Sequence, residues 1–235
     1  MQGLLLGSSR LVGGDLMTRF MQRSMGFMAI ALLVFWALPN TAEDSKTETL
    51  GQSTRAADTT DQLATFAGGC FWCMEPAFDK LDGVISTTSG YTGGRTKNPT
   101  YEQVTTGKTG HIESMQVRFD PSRVSYEELV WLFWHNVDPT QVNGQFCDKG
   151  NQYRTVIFVH NQDQQQIAQS TQKLVGDELG KRIATQIVAA GRFYPAEDYH
   201  QDYYRKNPTK YKFYRWNCGR DARLKVVWGQ KAGQP

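Results

Sequence analysis

The segment 63–78 constrains the fold of this chain more than any other part of the sequence. Residues 63–67 (LATFA) are mostly apolar and predict a short buried strand, which a pair of glycines ends. Pro76 is tolerated best in the first turn of a helix, so the helix that follows should begin between Cys70 and Trp72. A strand, a glycine turn and a helix start therefore meet at one cysteine.

Patterns farther along the chain predict a mixed α+β domain. The alternating segment IESMQVRF predicts a half-buried strand, and Ser125 with Glu128 forms a capping box that opens a helix. With these two included, the strands predicted after residue 78 are 84–89, 112–119, 155–160 and 187–189. The helices predicted there are 125–135, 164–179 and a short one opening at Pro195. Strands and helices do not alternate regularly, so we expect a compact mixed sheet flanked by helices.

The first 62 residues are predicted to lie outside the folded body. Arg19 and Arg23 precede an apolar run, 26–39, in the layout of a secretory signal, so residues 1–42 are interpreted as a signal peptide or an N-terminal anchor. Residues 24–42 carry no charge and could also tether the chain to a membrane. We therefore expect an exported protein, periplasmic or anchored facing the periplasm.

Residues 43–62 are polar and predict a flexible linker, which leaves 63–235 as the folded domain. The whole chain has a net charge of +3, and its first 42 residues hold three arginines against one aspartate, so the remainder carries only +1. A nearly neutral body argues against non-specific nucleic-acid binding, which needs a basic surface.

The four cysteines are Cys70, Cys73, Cys147 and Cys218, and export would permit any of three pairings. Cys70 follows two glycines at the predicted start of a helix, where the helix dipole favours a thiolate nucleophile. Cys73 completes a Cys-x-x-Cys spacing, as in disulfide oxidoreductases. A zinc site would need four ligands, and the sequence has no second such pair, so we expect no metal.

Seven segments in order resemble the peptide methionine sulfoxide reductase A family. They are GGCFWCMEPAF (68–78), GYTGG (90–94), NPTYEQV (98–104), TGHIES (109–114), DKGNQYRT (148–155), AEDYHQDYYRKNP (196–208) and NCGR (217–220). The resemblance covers about 63–228. It implies a ferredoxin-like core with a long irregular C-terminal segment. It also implies reduction of the S epimer of methionine sulfoxide, free or in proteins, to methionine, which repairs oxidised proteins.

The resemblance also implies roles for individual residues. Cys70 is the nucleophile, and Glu113 is the acid that activates the sulfoxide oxygen, most effective with a raised pKa in an apolar pocket. Taken alone, Glu113 would be interpreted as an outward charge on an alternating strand. The remaining implied site residues are the hydroxyl donors Tyr101 and Tyr153, the walls of the methyl pocket Phe71 and Trp72, and Asp148, which organises the site.

The resemblance leaves open which thiol condenses with the Cys70 sulfenic acid to form a disulfide. Cys218 in the C-terminal segment is the first candidate, Cys73 is a near-equal rival, and Cys147 ranks third. We expect no cofactor, an external thioredoxin-like thiol reductant and a monomer. Two alternatives remain: an exported Cys-x-x-Cys thiol–disulfide oxidoreductase, and a binding protein for oxidised methionine without catalysis.

Overall fold

The computed structural model describes residues 61–235. The predicted signal or anchor, 1–42, lies outside the described residues, as does the predicted linker, 43–62, apart from its last two residues. Gln62 is already the first residue of a strand. Within 61–235, no helix is both long and apolar enough to cross a membrane.

Six strands form the main sheet, and a short hairpin lies apart from it. The strands are β1 Gln62–Gly68, β2 Val84–Thr92, β3 Ile112–Phe119, β4 Gly144–Gln145, β5 Asp148–Lys149, β6 Thr155–Val159, β7 Gln186–Ala189 and β8 Tyr194–Pro195. The main sheet has the order β7-β6-β1-β3-β2-β8, and β4 pairs with β5. The β6–β7 pair is parallel, and the other pairs in the main sheet are antiparallel.

Helices cover one face of this sheet and continue to the C-terminus. They are α1 Phe71–Phe78, α2 Tyr101–Thr105, α3 Tyr126–Trp134, α4 Gln162–Leu179, α5 Tyr203–Lys206, α6 Pro208–Asn217 and α7 Arg220–Trp228. The main core joins Phe66 of β1 to Phe78 and Phe133 of two of these helices. Burying side chains of this size contributes about 2–3 kcal/mol each, so the sheet face and α1 are held together tightly.

The predicted α+β class, a mixed sheet flanked by helices, is confirmed. Strand β3 and the capping box of α3 occur at the predicted residues. Helix α1 begins at Phe71, as the sequence predicts, but Pro76 lies in its second turn. Helix α1 is only eight residues long, so the missing proline amide interrupts few hydrogen bonds.

The C-terminal segment differs from the irregular chain that we expected. Residues 203–228 are almost entirely helical, because α5, α6 and α7 follow one another with a one-residue break at Asn207 and a two-residue break at 218–219. The short helix predicted at Pro195 is absent there, since Pro195 ends β8 and turns follow it. Pairing of Tyr194 with Tyr91 draws this stretch into the sheet, and the helix forms only at Tyr203.

Candidate active site

Cys70 caps the N-terminus of α1, immediately after β1 and the glycine turn. Gly69 has a φ of +81°, and a Cβ at this position would lie 2.6 Å from the Cβ of Gln145, so only glycine fits. The Cys73 amide donates to the Cys70 carbonyl at 3.1 Å, which holds the two cysteines one turn apart. Both thiols are free and buried, with Cys70 only 6 % exposed.

The two thiols behave as one titrating pair. Burial, reinforced by a hydrogen bond with Cys73, raises the pKa of Cys70 well above its usual value. The same hydrogen bond lowers the pKa of Cys73 to about 7 against the effect of burial, with help from the charges of Arg220 and Arg215. In this arrangement the pair loses its first proton more readily from Cys73 than from Cys70.

Glu113 brings a buried carboxyl group to the same helix terminus. It lies on β3 and is 2 % exposed, and its Oε2 accepts a hydrogen bond from the Phe71 amide at 3.3 Å. Burial raises the pKa of Glu113 to about 8, partly offset by that hydrogen bond. The outward position considered from the sequence alone is wrong, because Glu113 lies on the same face of β3 as the core residues Met115 and Val117.

Two tyrosines present hydroxyl groups to this carboxyl group. Tyr101 is the first residue of α2, and its amide donates to Glu197 at 2.8 Å. Tyr153 ends a short 3-10 helix, Asn151–Tyr153. Burial raises the pKa of both hydroxyls, and the charges of Glu113 and Cys70 raise it further. Both groups therefore stay protonated and can donate hydrogen bonds near Cys70.

Aromatic rings surround Phe71 and Trp72 and connect α1 to the C-terminal segment. Phe71 is buried 5.1 Å from the His200 ring, and the Trp72 Nε1 donates to His200 Nδ1 at 3.0 Å. The Trp72 ring stacks on Tyr203 at 3.8 Å and meets the edge of Tyr214 at 5.9 Å. These contacts give the site apolar walls of aromatic carbon.

Asp148 reaches the site from the small hairpin. Its Oδ2 accepts a hydrogen bond from the Tyr214 hydroxyl at 2.6 Å, and burial raises the pKa of Asp148. The neighbouring Cys147 forms a disulfide with Cys218, the residue that caps the end of α6, and the two Cα atoms are 5.0 Å apart. This bond ties the hairpin to the C-terminal helices beside Cys70.

Sequence and structure comparisons identify the family. A family model described as peptide methionine sulfoxide reductase matches residues 62–232. This chain belongs to that family. It is 51 % identical over 172 residues to the peptide methionine sulfoxide reductase MsrA of Bacillus licheniformis, covering 72 % of this chain and 95 % of that protein. Its activity is that of a peptide-methionine (S)-S-oxide reductase.

Solved structures of the family share the fold. Reduced Mxr1 of Saccharomyces cerevisiae is 34 % identical with a TM-score of 0.62, and the match covers 65 % of this chain and 88 % of that one. Methionine sulfoxide reductase A of Corynebacterium diphtheriae is 35 % identical with a TM-score of 0.58, covering 66 % of this chain and 78 % of that one. The α+β core described above is therefore the fold of the reductase family.

Several residues of this reductase site were not assigned a role from the sequence. They are His200, Tyr203, Tyr214, Arg215 and Arg220. Each lies within or close to a segment that resembles the family, but none is near Cys70 in the sequence. Only the packing of the C-terminal helices against α1 shows which side chains they bring to the cysteine turn.

One group in 61–235 combines three potential metal ligands, Cys147, Asp148 and Cys218. The two sulfur atoms are bonded to each other, so the group offers a single carboxylate. Glu197 and His200 are spaced like residues on one helical face, but neither lies in a helix, since Glu197 is in an irregular stretch and His200 is in a turn. Glu197 accepts hydrogen bonds from the Tyr91 hydroxyl and the Tyr101 amide, which is a structural role.

Proposed function

We propose that this chain reduces the S epimer of methionine sulfoxide, free or in proteins, with Cys70 as the nucleophile. The observation that carries the proposal is the hydrogen bond from the Phe71 amide to Glu113, which supports a protonatable acid next to the Cys70 turn. A sulfoxide sulfur becomes electrophilic when its oxygen is protonated or strongly hydrogen-bonded. A thiol, an acid and two tyrosine hydroxyls supply what that chemistry needs.

The first step transfers the sulfoxide oxygen to Cys70. As Cys70 attacks the sulfur, its proton moves to the Cys73 thiolate. Glu113 gives its proton to the oxygen, with Tyr101 and Tyr153 donating hydrogen bonds. Attack joins the Cys70 sulfur to the substrate sulfur. The hydroxyl group then moves to the Cys70 sulfur as the S–O bond and the new S–S bond break, leaving a sulfenic acid on Cys70, methionine and a Glu113 carboxylate. Phe71 and Trp72 hold the methyl group, and Asp148 organises the surrounding polar groups.

The second step forms a disulfide, and we assign Cys73 to it. The Cys73 sulfur attacks the Cys70 sulfenic sulfur, and the hydroxyl group leaves with the Cys73 proton as water. Two observations favour Cys73 over Cys218: Cys73 lies one helical turn from Cys70, and Cys218 is already bonded to Cys147. Cys147 is excluded from the step for the same reason. Two electrons from an external dithiol then restore both thiols.

The decisive experiment combines turnover with mapping of the disulfide. Each epimer of methionine sulfoxide is offered with dithiothreitol to the parent and to Cys70→Ser, and we expect methionine only from the S epimer with the parent. One turnover without reductant, followed by mass spectrometry, should give a Cys70–Cys73 disulfide with Cys147–Cys218 intact. Equal turnover by both proteins would refute Cys70 as nucleophile, and a bond from Cys70 to Cys218 would refute Cys73.

The Cys-x-x-Cys pair also supports a second candidate, general thiol–disulfide exchange. Exchange needs no proton donor for a sulfoxide oxygen, so it would survive Glu113→Gln, whereas sulfoxide reduction would not. Measuring both reactions on this variant separates the two functions. A binding protein for oxidised methionine is excluded by any methionine produced by the parent.

We also propose that the chain is exported, acts as a monomer and is reduced by a thioredoxin-like protein. The layout of residues 1–42 and the Cys147–Cys218 disulfide support an oxidising compartment. The intact mass of protein recovered from periplasmic and membrane fractions tests this. A mass without residues 1–42 indicates a cleaved signal, the full mass in membranes indicates an anchor, and recovery only from the cytoplasm would refute export.

A further inference from the structure

Arg220 is a cation buried behind the cysteine turn. It is 1 % exposed, and its Nη2 donates to the carbonyls of Gly68 at 3.2 Å and Asn136 at 2.7 Å and to the Met74 sulfur at 3.0 Å. The guanidinium carbon lies 4.4 Å from the centroid of the Phe146 ring. All these partners are electrically neutral. The Nε atom is buried and has no hydrogen-bond partner among residues 61–235.

No carboxylate in 61–235 forms an ion pair with Arg220. By contrast, the neighbouring Arg215 pairs with Asp221, and Arg223 pairs with Asp138 at 2.7 Å. Removing a charge from water without a counter-charge costs at least several kcal/mol. A chain that keeps Arg220 buried therefore needs an anion close to it.

The neighbours of Arg220 show where that anion lies. Gly68 precedes the reactive thiol by two residues, and Met74 directly follows Cys73, so the guanidinium spans both ends of the cysteine turn. Asp148 already accepts the Tyr214 hydroxyl and forms no ion pair with Arg220. Within residues 61–235, the thiols of Cys70 and Cys73 lie in the chain between these two contacts and can carry a negative charge.

We propose that Arg220 is the counter-charge that keeps one negative charge on the Cys70–Cys73 pair. This deepens the proposed function and rests on it, since the charge allows Cys73 to take the Cys70 proton during attack. Arg220 acts through the thiols and is a positioning residue, not a group that touches the sulfoxide. Helix α7 thus supplies electrostatic support to a nucleophile 150 residues earlier in the chain.

Other charged groups face the thiol pair and also shift the pKa values of its two thiols. Burial is the largest effect that raises the pKa of Cys70, and Glu113 and Asp148 add to it. The Cys70 hydrogen bond is the largest effect that lowers the pKa of Cys73, followed among the charges by Arg220 and then Arg215. Arg215 also donates to the Cys73 carbonyl at 3.3 Å, but its positive charge is paired with the Asp221 carboxylate.

The test titrates the thiols in the folded, full-length protein with Cys147–Cys218 left oxidised. Thiolate absorbance and the rate of alkylation by iodoacetamide are followed against pH in the parent, Arg220→Met, Arg220→Lys and Lys225→Met. Lys225 is an exposed cation on the same helix and serves as the charge control.

We expect Arg220→Met to raise the apparent pKa of the pair and slow alkylation near neutral pH about tenfold, as for loss of a nearby opposite charge. Arg220→Lys should restore most of the rate, and Lys225→Met should match the parent.

A folded Arg220→Met protein that titrates like the parent would overturn the proposal.

A second measurement, the pH dependence of stability, decides if that variant does not fold. The pKa of Cys73 is lowered in the folded state, so its thiolate should stabilise the parent near pH 9, the ordinary thiol pKa, and this stabilisation should be lost as pH falls through about 7. Above pH 9 the raised pKa of Cys70 acts in the opposite direction. The double variant Cys70→Ser/Cys73→Ser should lack this change, and identical pH dependence in both proteins would refute the counter-charge. Neither measurement requires sulfoxide turnover, so failure of the proposed function is seen separately in the methionine assay.

Discussion

Glu113→Gln is the sharpest test of the proposed chemistry. Burial raises the pKa of Glu113 to about 8, so roughly nine-tenths of the molecules hold a proton on this carboxyl at neutral pH. Glutamine keeps the size of the side chain and an oxygen that can accept from the Phe71 amide. It has no acidic proton to transfer. The substitution therefore removes the acid while leaving the rest of the site in place.

The expected loss follows from the role of a general acid. Such a group contributes about 10²–10⁴-fold, so kcat for the S epimer should fall by that factor with little change in KM. The parent rate should also decline as pH rises through about 8, and this decline should disappear in the variant. Methionine formation with dithiothreitol measures both effects. A variant that keeps its activity within a few-fold of the parent would refute Glu113 as the proton donor.

The same carboxyl group predicts a pH dependence of stability. Its pKa is raised in the folded protein, so its contribution to stability is fully present below the unfolded pKa of about 4.5 and is lost as pH rises through about 8. The difference corresponds to about 4–5 kcal/mol over that range. Glu113→Gln should lack this loss and gain stability over the parent at alkaline pH. Denaturant unfolding at several pH values measures it, and parallel curves for the two proteins would contradict a buried, protonated Glu113.

Two further predictions concern the hydroxyl donors and the disulfide. Tyr101→Phe and Tyr153→Phe should each reduce kcat about 10–10³-fold, because each removes one donor to the sulfoxide oxygen; a pair of variants with parental kcat would exclude that role. The double variant Cys147→Ser/Cys218→Ser should lower the free energy of unfolding by about 2–4 kcal/mol, because the bond closes a chain loop with a sequence separation of 71. It should still release methionine in a single turnover, and loss of that release from a folded variant would show that this pair takes part in the reaction.

The sequence predicted the strands and helices best where local patterns act alone. Strand β3 and the capping box at Ser125 could be located because alternation and capping depend on residues close in sequence. The C-terminal segment could not be predicted in this way. Helices α5 and α6 contain no fully buried side chain, so they lack the buried apolar stripe by which a helix is usually recognised. Helix α7 buries Leu224 and Trp228, but charged residues flank Leu224 in the sequence. The irregular segment that we expected was wrong for that reason.

The site residues also differ in whether local sequence patterns could reveal them. Cys70 stands out in the sequence because a glycine turn and a helix start surround it, whereas Glu113 was noticed only through the family resemblance. Its pKa depends on burial of the side chain, and that burial is a property of the assembled fold. Arg220 shows the limit most clearly. It is 150 residues from Cys70 in the sequence, and its lack of a carboxylate partner is visible only in three dimensions.

The four cysteines illustrate how the fold selects among chemically equal residues. Composition allowed three pairings and left three candidates for resolving the sulfenic acid. The fold places Cys147 and Cys218 with their Cα atoms 5.0 Å apart on the C-terminal side of the site, within the range of a disulfide. It keeps Cys70 and Cys73 one helical turn apart, buried, and facing an acid and a cation. A sulfenic acid on Cys70 therefore has an unpaired thiol one helical turn away, whereas Cys147 and Cys218 must first break their own bond. This difference in availability is the physical reason for assigning the resolving step to Cys73.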